Sequence, residues 1–300
     1  MSGKKLTIGM AVYNDYDGAY FSIQAIRMFH SEILNEIEFV IIDNCPASKF
    51  GEALKKFTAS ISEPVQYIPF TEYSSAFVKG KVFDYARTPY VLVMDCHVMF
   101  VQGSLRKLID FYDSGKDFGN LLQGPLLYDN LRSISTHFDS VWRGQMWGTW
   151  GMDKRGTDPN AEPFEIFAQG MGSFSCRKEN WLGFNPSFRG FGGEEGYIHE
   201  KYRKFGKKAM CLPFLRWLHR FGRPGGIPFK CSTEDRVKNY FIGFTELGLS
   251  TIPIYDHFLE NTKITKETIE KWHVEALVSM EIPTTSNESA PSVDKQVLSK

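Results

Sequence analysis

Four short apolar runs punctuate the first hundred residues: Leu6–Val12, Glu38–Ile42, Val65–Pro69 and the stretch opening at Val91. Helical spacing fills the gaps between them. Asp15–Asn35 puts Tyr20, Ile23, Ile26 and Phe29 on one face, Glu52–Ser60 follows the second run, and Ala76–Ala86 precedes the fourth. Parallel strands need long crossovers, usually helical, so this alternation predicts an α/β chain with a mostly parallel central sheet and helices on both faces. Ligands bind such sheets outside the carboxyl ends of the strands. Asn14, Asp43, Asp95 and His97 all fall at such ends.

The fourth run reads VLVMDCHVMF. An aspartate is rarely buried without a partner. Strand alternation points Asp95 and His97 to the same side of Cys96, where a carboxylate oxygen and an imidazole nitrogen can share one divalent ion. Mixed oxygen and nitrogen ligation suits Mn²⁺, with Mg²⁺ the alternative. A structural salt bridge or a surface turn fits the three residues equally well.

Beyond residue 100 the pattern changes. Residues 141–196 mix aromatics and glycines without helical or strand period, and loops of that length in a compact domain are usually functional. Glu194–Phe205 reads as a helix, Ala209–Phe214 and Trp217–His219 as strands. Ser232 and Gly248 bracket another helix, and Lys263–Val278 forms a last one. We divide the chain into a domain over 1–258, a C-terminal helix over 259–280, and a Pro/Ser/Thr-rich tail over 281–300 whose composition predicts disorder. Lys plus Arg equals Asp plus Glu at 35 each, so overall charge offers no hint of a polyanionic partner. The five cysteines are spread without CxxC pairs, and neither a signal peptide nor a membrane-spanning run is present. Together these predict a cytoplasmic protein.

The motifs GMAVYN, VIIDN, VLVMDCH, FRGFGGEEGYIHEKYRKFG and LRWLHRFGR resemble, in order and spacing, those of the GT-A (Rossmann-like) nucleotide-sugar glycosyltransferases. Family 2 and the polypeptide N-acetylgalactosaminyltransferases are the nearest in character. The resemblance covers roughly residues 5–225. It implies a nucleotide-binding part over about 5–100 and an acceptor-side part over about 120–230. It also implies a sugar donor carried on a nucleoside diphosphate, UDP above all. Asp95, His97 and His219 would be the metal ligands, Asp43 the residue holding the base, with Asn14 in the first motif. Lys79 or Lys81 would approach the nucleotide, and Gly170 and Gly172 in AQGMGSF resemble a glycine pair beside the donor sugar. The acidic turn departs from the family pattern at Asn44. Taken by itself, His219 reads equally as a core histidine, and the glycines as a tight turn.

Glu194 and Glu195 stand where a helix begins, a position that favours acidic residues through the macrodipole. As a general base, either one would take the proton of an acceptor hydroxyl. Trp142, Trp147, Trp150 and Trp181 suit sugar stacking, a lid, or a satellite core. Residues 201–230 hold nine basic residues and no acidic one, which suits an anionic acceptor or a solvated helix face. The expected partners are a nucleotide sugar and a hydroxyl-bearing acceptor, a glycan or protein by default. A hydroxylated base in nucleic acid is the alternative acceptor. A nucleotidyltransferase would need a phosphate loop that VYNDYDG makes poorly. A sugar-binding non-enzyme would not need both DCH and GGEE. A dinucleotide-binding dehydrogenase lacks its GxGxxG here.

Overall fold

A computed structural model of the chain describes residues 3–281. The tail expected to be disordered lies outside the described residues, Glu281 excepted. Strands β1 (Leu6–Val12), β2 (Ile37–Asp43), β3 (Val65–Pro69) and β4 (Tyr90–Met94) are all parallel. The first, second and fourth are buried almost throughout, as strands covered on both faces must be, whereas β3 lies at the sheet edge and is half-buried. The connecting helices are α1 (Tyr16–Phe29), α2 (Lys49–Ser60) and the short α3 (Val82–Tyr85).

Val98–Phe100 forms β5 and Ser104–Asp113 forms α4. Then come β6 (Leu121–Gln123), β7 (Leu126–Leu127), β8 (Ile134–Ser135) and a hairpin of β9 (His137–Arg143) with β10 (Met146–Gly151). Strands β11 (Phe164–Ile166), β12 (Ser173–Arg177), β13 (Ala209–Cys211) and β14 (Trp217–His219) follow, with α5 (Glu194–Lys204) between β12 and β13. Helices α6 (Thr233–Leu247), α7 (Ile252–Asn261) and α8 (Lys266–Glu281) close the described chain. The eight-stranded sheet runs β11-β13-β6-β12-β4-β1-β2-β3. A second sheet, β5-β14-β7-β8, lies beyond its carboxyl edge.

The period of two in the strands sorts side chains into two cores. Leu6, Ile8, Met10, Phe39 and Ile41 pack with residues of α1, α2 and α4. Val40, Ile42, Val91 and Val93 face the other way, toward α5, α6, α7 and α8. Each fully buried aliphatic side chain of this kind contributes about 1.5–3 kcal/mol.

Several boundaries differ from expectation. The first helix stops at Phe29, and a tighter turn over Ser31–Ile33 drops Ile33 into the core. The second begins three residues early because the Ser48 hydroxyl accepts from Gly51 N at 3.0 Å. Ala76–Lys81 is a 3₁₀ turn leading into α3, with Gly80 inside it weakening α-propensity. Residues 141–196 contain strands after all: a bulge between Trp147 and Thr149 breaks the alternation that would reveal β10. The helix expected over 259–280 is the end of α7 followed by α8. The chain breaks at Thr262, and Thr265 Oγ1 accepts from Thr268 N at 3.3 Å to start α8. Pro253 sits in the first turn of α7, where proline is tolerated.

Candidate active site

The chain leaves β4 at Met94, turns through Asp95-Cys96-His97 and re-enters a different sheet as β5. The two side chains therefore meet through a turn and not through strand alternation. Asp95 N donates to Gly172 O at 2.8 Å, tying the turn to the start of β12. A Cβ at Gly172 would lie 3.1 Å from the Trp217 ring and 3.3 Å from Asp95 Oδ2, so a side chain there would crowd that carboxylate. β14 pairs antiparallel with β5, setting His219 opposite Val98. This register brings a residue more than a hundred positions away onto His97. Nε2 of His97 lies 3.1 Å from Nε2 of His219, which is 3.5 Å from Asp95 Oδ2.

These spacings test the cation. Octahedral bonds of about 2.1 Å place neighbouring donors about 3 Å apart, and the observed separations match. One carboxylate oxygen and two imidazole nitrogens are the donor chemistry that Mn²⁺ accepts. The residues fit a divalent ion.

Lys79, from the turn before α3, is buried and donates from Nζ to Asp95 Oδ1 and to Met171 O, each at 3.1 Å. Burial alone would raise the Asp95 pKa, but Lys79 and both imidazoles hold it well below the carboxylate range. Burial holds the His97 pKa below its ordinary value, with Asp15 pulling the other way. Arg223 reaches the same ring, its Nη2 2.8 Å from His97 Nε2.

Asp95, His97, His219, Lys79, Glu194 and Glu195 line one cavity of about 680 Å³, and Gly170 and Gly172 form part of its wall. The glutamates open α5 behind Gly192 and Gly193, at φ +96° and +95°, values that favour glycine. Asn239 braces that turn by donating to Gly192 O at 2.9 Å. Both glutamates are buried, and Glu194 Oε2 has no hydrogen-bond partner among the described residues. Burial, then the charge of Glu194, pushes the Glu195 pKa up to about 8.

Other expected residues stand elsewhere. Lys81 lies off the cavity and pairs with Asp84 at 3.3 Å. Asp43 accepts from Tyr67 Oη at 2.6 Å and Cys45 N at 2.9 Å and does not line the wall. Asn14, at φ 51°, is also off the wall, with Oδ1 buried and unpartnered, while Asn44 faces the cavity. Trp142 and Trp147 pack on Tyr240 and Phe244, and Trp181 stacks on Phe83. Of the four tryptophans, Trp150 lines the cavity.

Most of the basic run is engaged away from the cavity: Lys201 with Glu246, Arg203 with Glu200, Lys208 with Glu165, and Lys204, Lys207 and Arg216 on backbone carbonyls. Arg223 and Lys230 line the wall, and Arg220 binds Asp15. Asp15 was not expected here, whereas Arg223 belongs to the basic run. An aspartate directly after a strand end, where a helix must start, was the one available signal for Asp15.

Residues 7–178 match the family model described as Glycosyl transferase family 2. The chain belongs to glycosyl transferase family 2. A search of curated proteins finds no match. Among solved structures, the chain is similar to GalNAc-T7 with UDP, GalNAc and Mn²⁺, at TM-score 0.64 and 13% identity over 91% of this chain and 54% of that one. It thus spans about half the length of GalNAc-T7. It is also similar to S. aureus TarS 1-349 in complex with UDP-GlcNAc, at TM-score 0.53 and 12% identity over 92% of this chain and 72% of that one. The fold of this family 2 member is GT-A. Among the described residues, no helix is long and apolar enough to cross a membrane.

Proposed function

We propose that this family 2 protein transfers a sugar from a nucleoside diphosphate, UDP in the first instance, to a hydroxyl-bearing acceptor with the help of a divalent cation. The observation that carries the reading is the convergence of Asp95, His97 and His219 on one wall of a cavity that Glu194 and Glu195 also line. Those three residues would hold Mn²⁺ or Mg²⁺, which when bound supplies charge stabilisation for a departing diphosphate. The GalNAc-T7 structure, with UDP and Mn²⁺, supports this choice.

The chain's own residues do the rest. Lys79 keeps Asp95 ionised and brings a buried positive charge toward the donor phosphates. Gly172 lets the wall approach closely, and Trp150 offers an apolar face beside Gly170. One carboxylate of the Glu194–Glu195 pair takes the acceptor proton as its oxygen attacks the anomeric carbon. Glycan or protein hydroxyls are the acceptors we favour, since most of the basic run is engaged elsewhere. The free cysteines agree with a cytoplasmic setting.

The test is hydrolysis of labelled UDP-sugars by the purified protein. Chelation is expected to abolish release of the sugar, Mn²⁺ to restore it, and Asp95→Ala to remove it with the fold intact. Full turnover in excess EDTA would reject the cation.

A further inference from the structure

Asp15 is bonded in three directions. As the N-cap of α1 it accepts from Gly18 N through Oδ1 at 3.1 Å. Arg220 Nη2 donates to Oδ1 at 2.8 Å and Oδ2 at 2.7 Å. Oδ2 also lies 3.0 Å from His97 Nδ1.

Capping a helix does not require this last contact, since serine caps as well as aspartate. Its effect falls on His97. A neutral imidazole has one N–H. Donated from Nδ1 to Asp15, it leaves the lone pair on Nε2, the atom that faces His219 and accepts from Arg223 Nη2 at 2.8 Å. Cation-binding histidines commonly rest their other N–H on a carboxylate, which fixes the tautomer, orients the ring and raises its basicity. Cys96 Sγ, 3.5 Å from the same Nδ1, is too weak a partner to do this.

We propose that Asp15 is a positioning residue for the cation site. It holds His97 in the tautomer and orientation that direct Nε2 at the ion, and it links the start of α1 to the segment carrying Arg220. The inference rests on the cation reading above and extends it to a residue that does not touch the ion.

The experiment titrates Mn²⁺ into the metal-free full chain with saturating UDP, following free Mn²⁺ by electron paramagnetic resonance. Asp15→Ser keeps the helix cap and deletes the support of His97. Its melting temperature in EDTA is expected to stay near the wild-type value, while Mn²⁺ affinity falls roughly 10–100-fold, the usual effect of losing such a partner. Asp15→Thr, a second capping residue, carries the same measurement if the serine variant folds poorly. Asp95→Ala is the control that removes a ligand outright. Wild-type affinity in Asp15→Ser, with binding lost in Asp95→Ala, would reduce Asp15 to a helix cap and overturn the inference alone. No Mn²⁺ binding by the wild type would overturn the cation reading and this inference with it.

Discussion

Glu195 sits in the first turn of α5 with its carboxylate buried, and its pKa of about 8 ties catalysis to stability. The folded state keeps a proton that the unfolded chain releases near pH 4.5. Its contribution is therefore most favourable below that pH and is lost as pH rises toward 8. Glu195→Gln removes the penalty. Its melting temperature should exceed the wild-type value by a margin that grows between pH 5 and 8.5. If Glu195 is the base, turnover should fall by roughly 10²–10⁴-fold, with UDP affinity unchanged. A margin independent of pH would contradict the buried carboxylate; unchanged turnover would move the base to Glu194. At this scale the sequence located residue types well and partners poorly. The DCH turn and the GGEE helix start stand out because charged groups interrupt apolar or glycine-rich surroundings. Asp15 does not, because Arg220 lies 205 positions away in the chain and its contact with Asp15 depends on folding. Asp43 was legible as a strand end, but the Tyr67 hydroxyl that engages it comes from the neighbouring strand.

The β9–β10 hairpin separates two roles that the aromatic-rich sequence left mixed. Its bulge between Trp147 and Thr149 sends Trp147 toward α5 and α6, where Tyr240 Oη accepts from Trp147 N at 2.8 Å. Trp150 instead meets Phe138 and the cavity. Trp147→Ala is expected to destabilise by roughly 3 kcal/mol, the low end for a large aromatic because the ring is only partly buried. Trp150→Ala should destabilise by less than Trp147→Ala and raise the KM for acceptor or donor. Denaturant melts and steady-state kinetics on both variants check this, and equal destabilisation would contradict the division. The hairpin escaped sequence reading because a bulge resets the period of two. Helix α6 was legible at both ends, because Ser232 supplies the cap oxygen and Gly248, at φ 69°, the left-handed stop.

For the molecule as a whole, the parallel half of the sheet could be read from alternation alone, since each βα unit is local in sequence. The other half could not: β12 and β6 insert between β4 and β13, a strand order set by long-range pairing. That half matters to the proposed function because Gly172 precedes its β12 and the two glutamates open the helix between β12 and β13, while β14 of the second sheet brings His219. We propose that a cation held by Asp95, His97 and His219 joins this cavity to a nucleoside diphosphate. Calorimetric titration of UDP into the wild-type protein, with Mn²⁺ and with EDTA, tests it most directly. Binding is expected to be at least about tenfold tighter with Mn²⁺, a difference of about 1.4 kcal/mol, and Asp95→Ala should abolish that gain. Equal UDP affinity in EDTA and in Mn²⁺ would contradict the account.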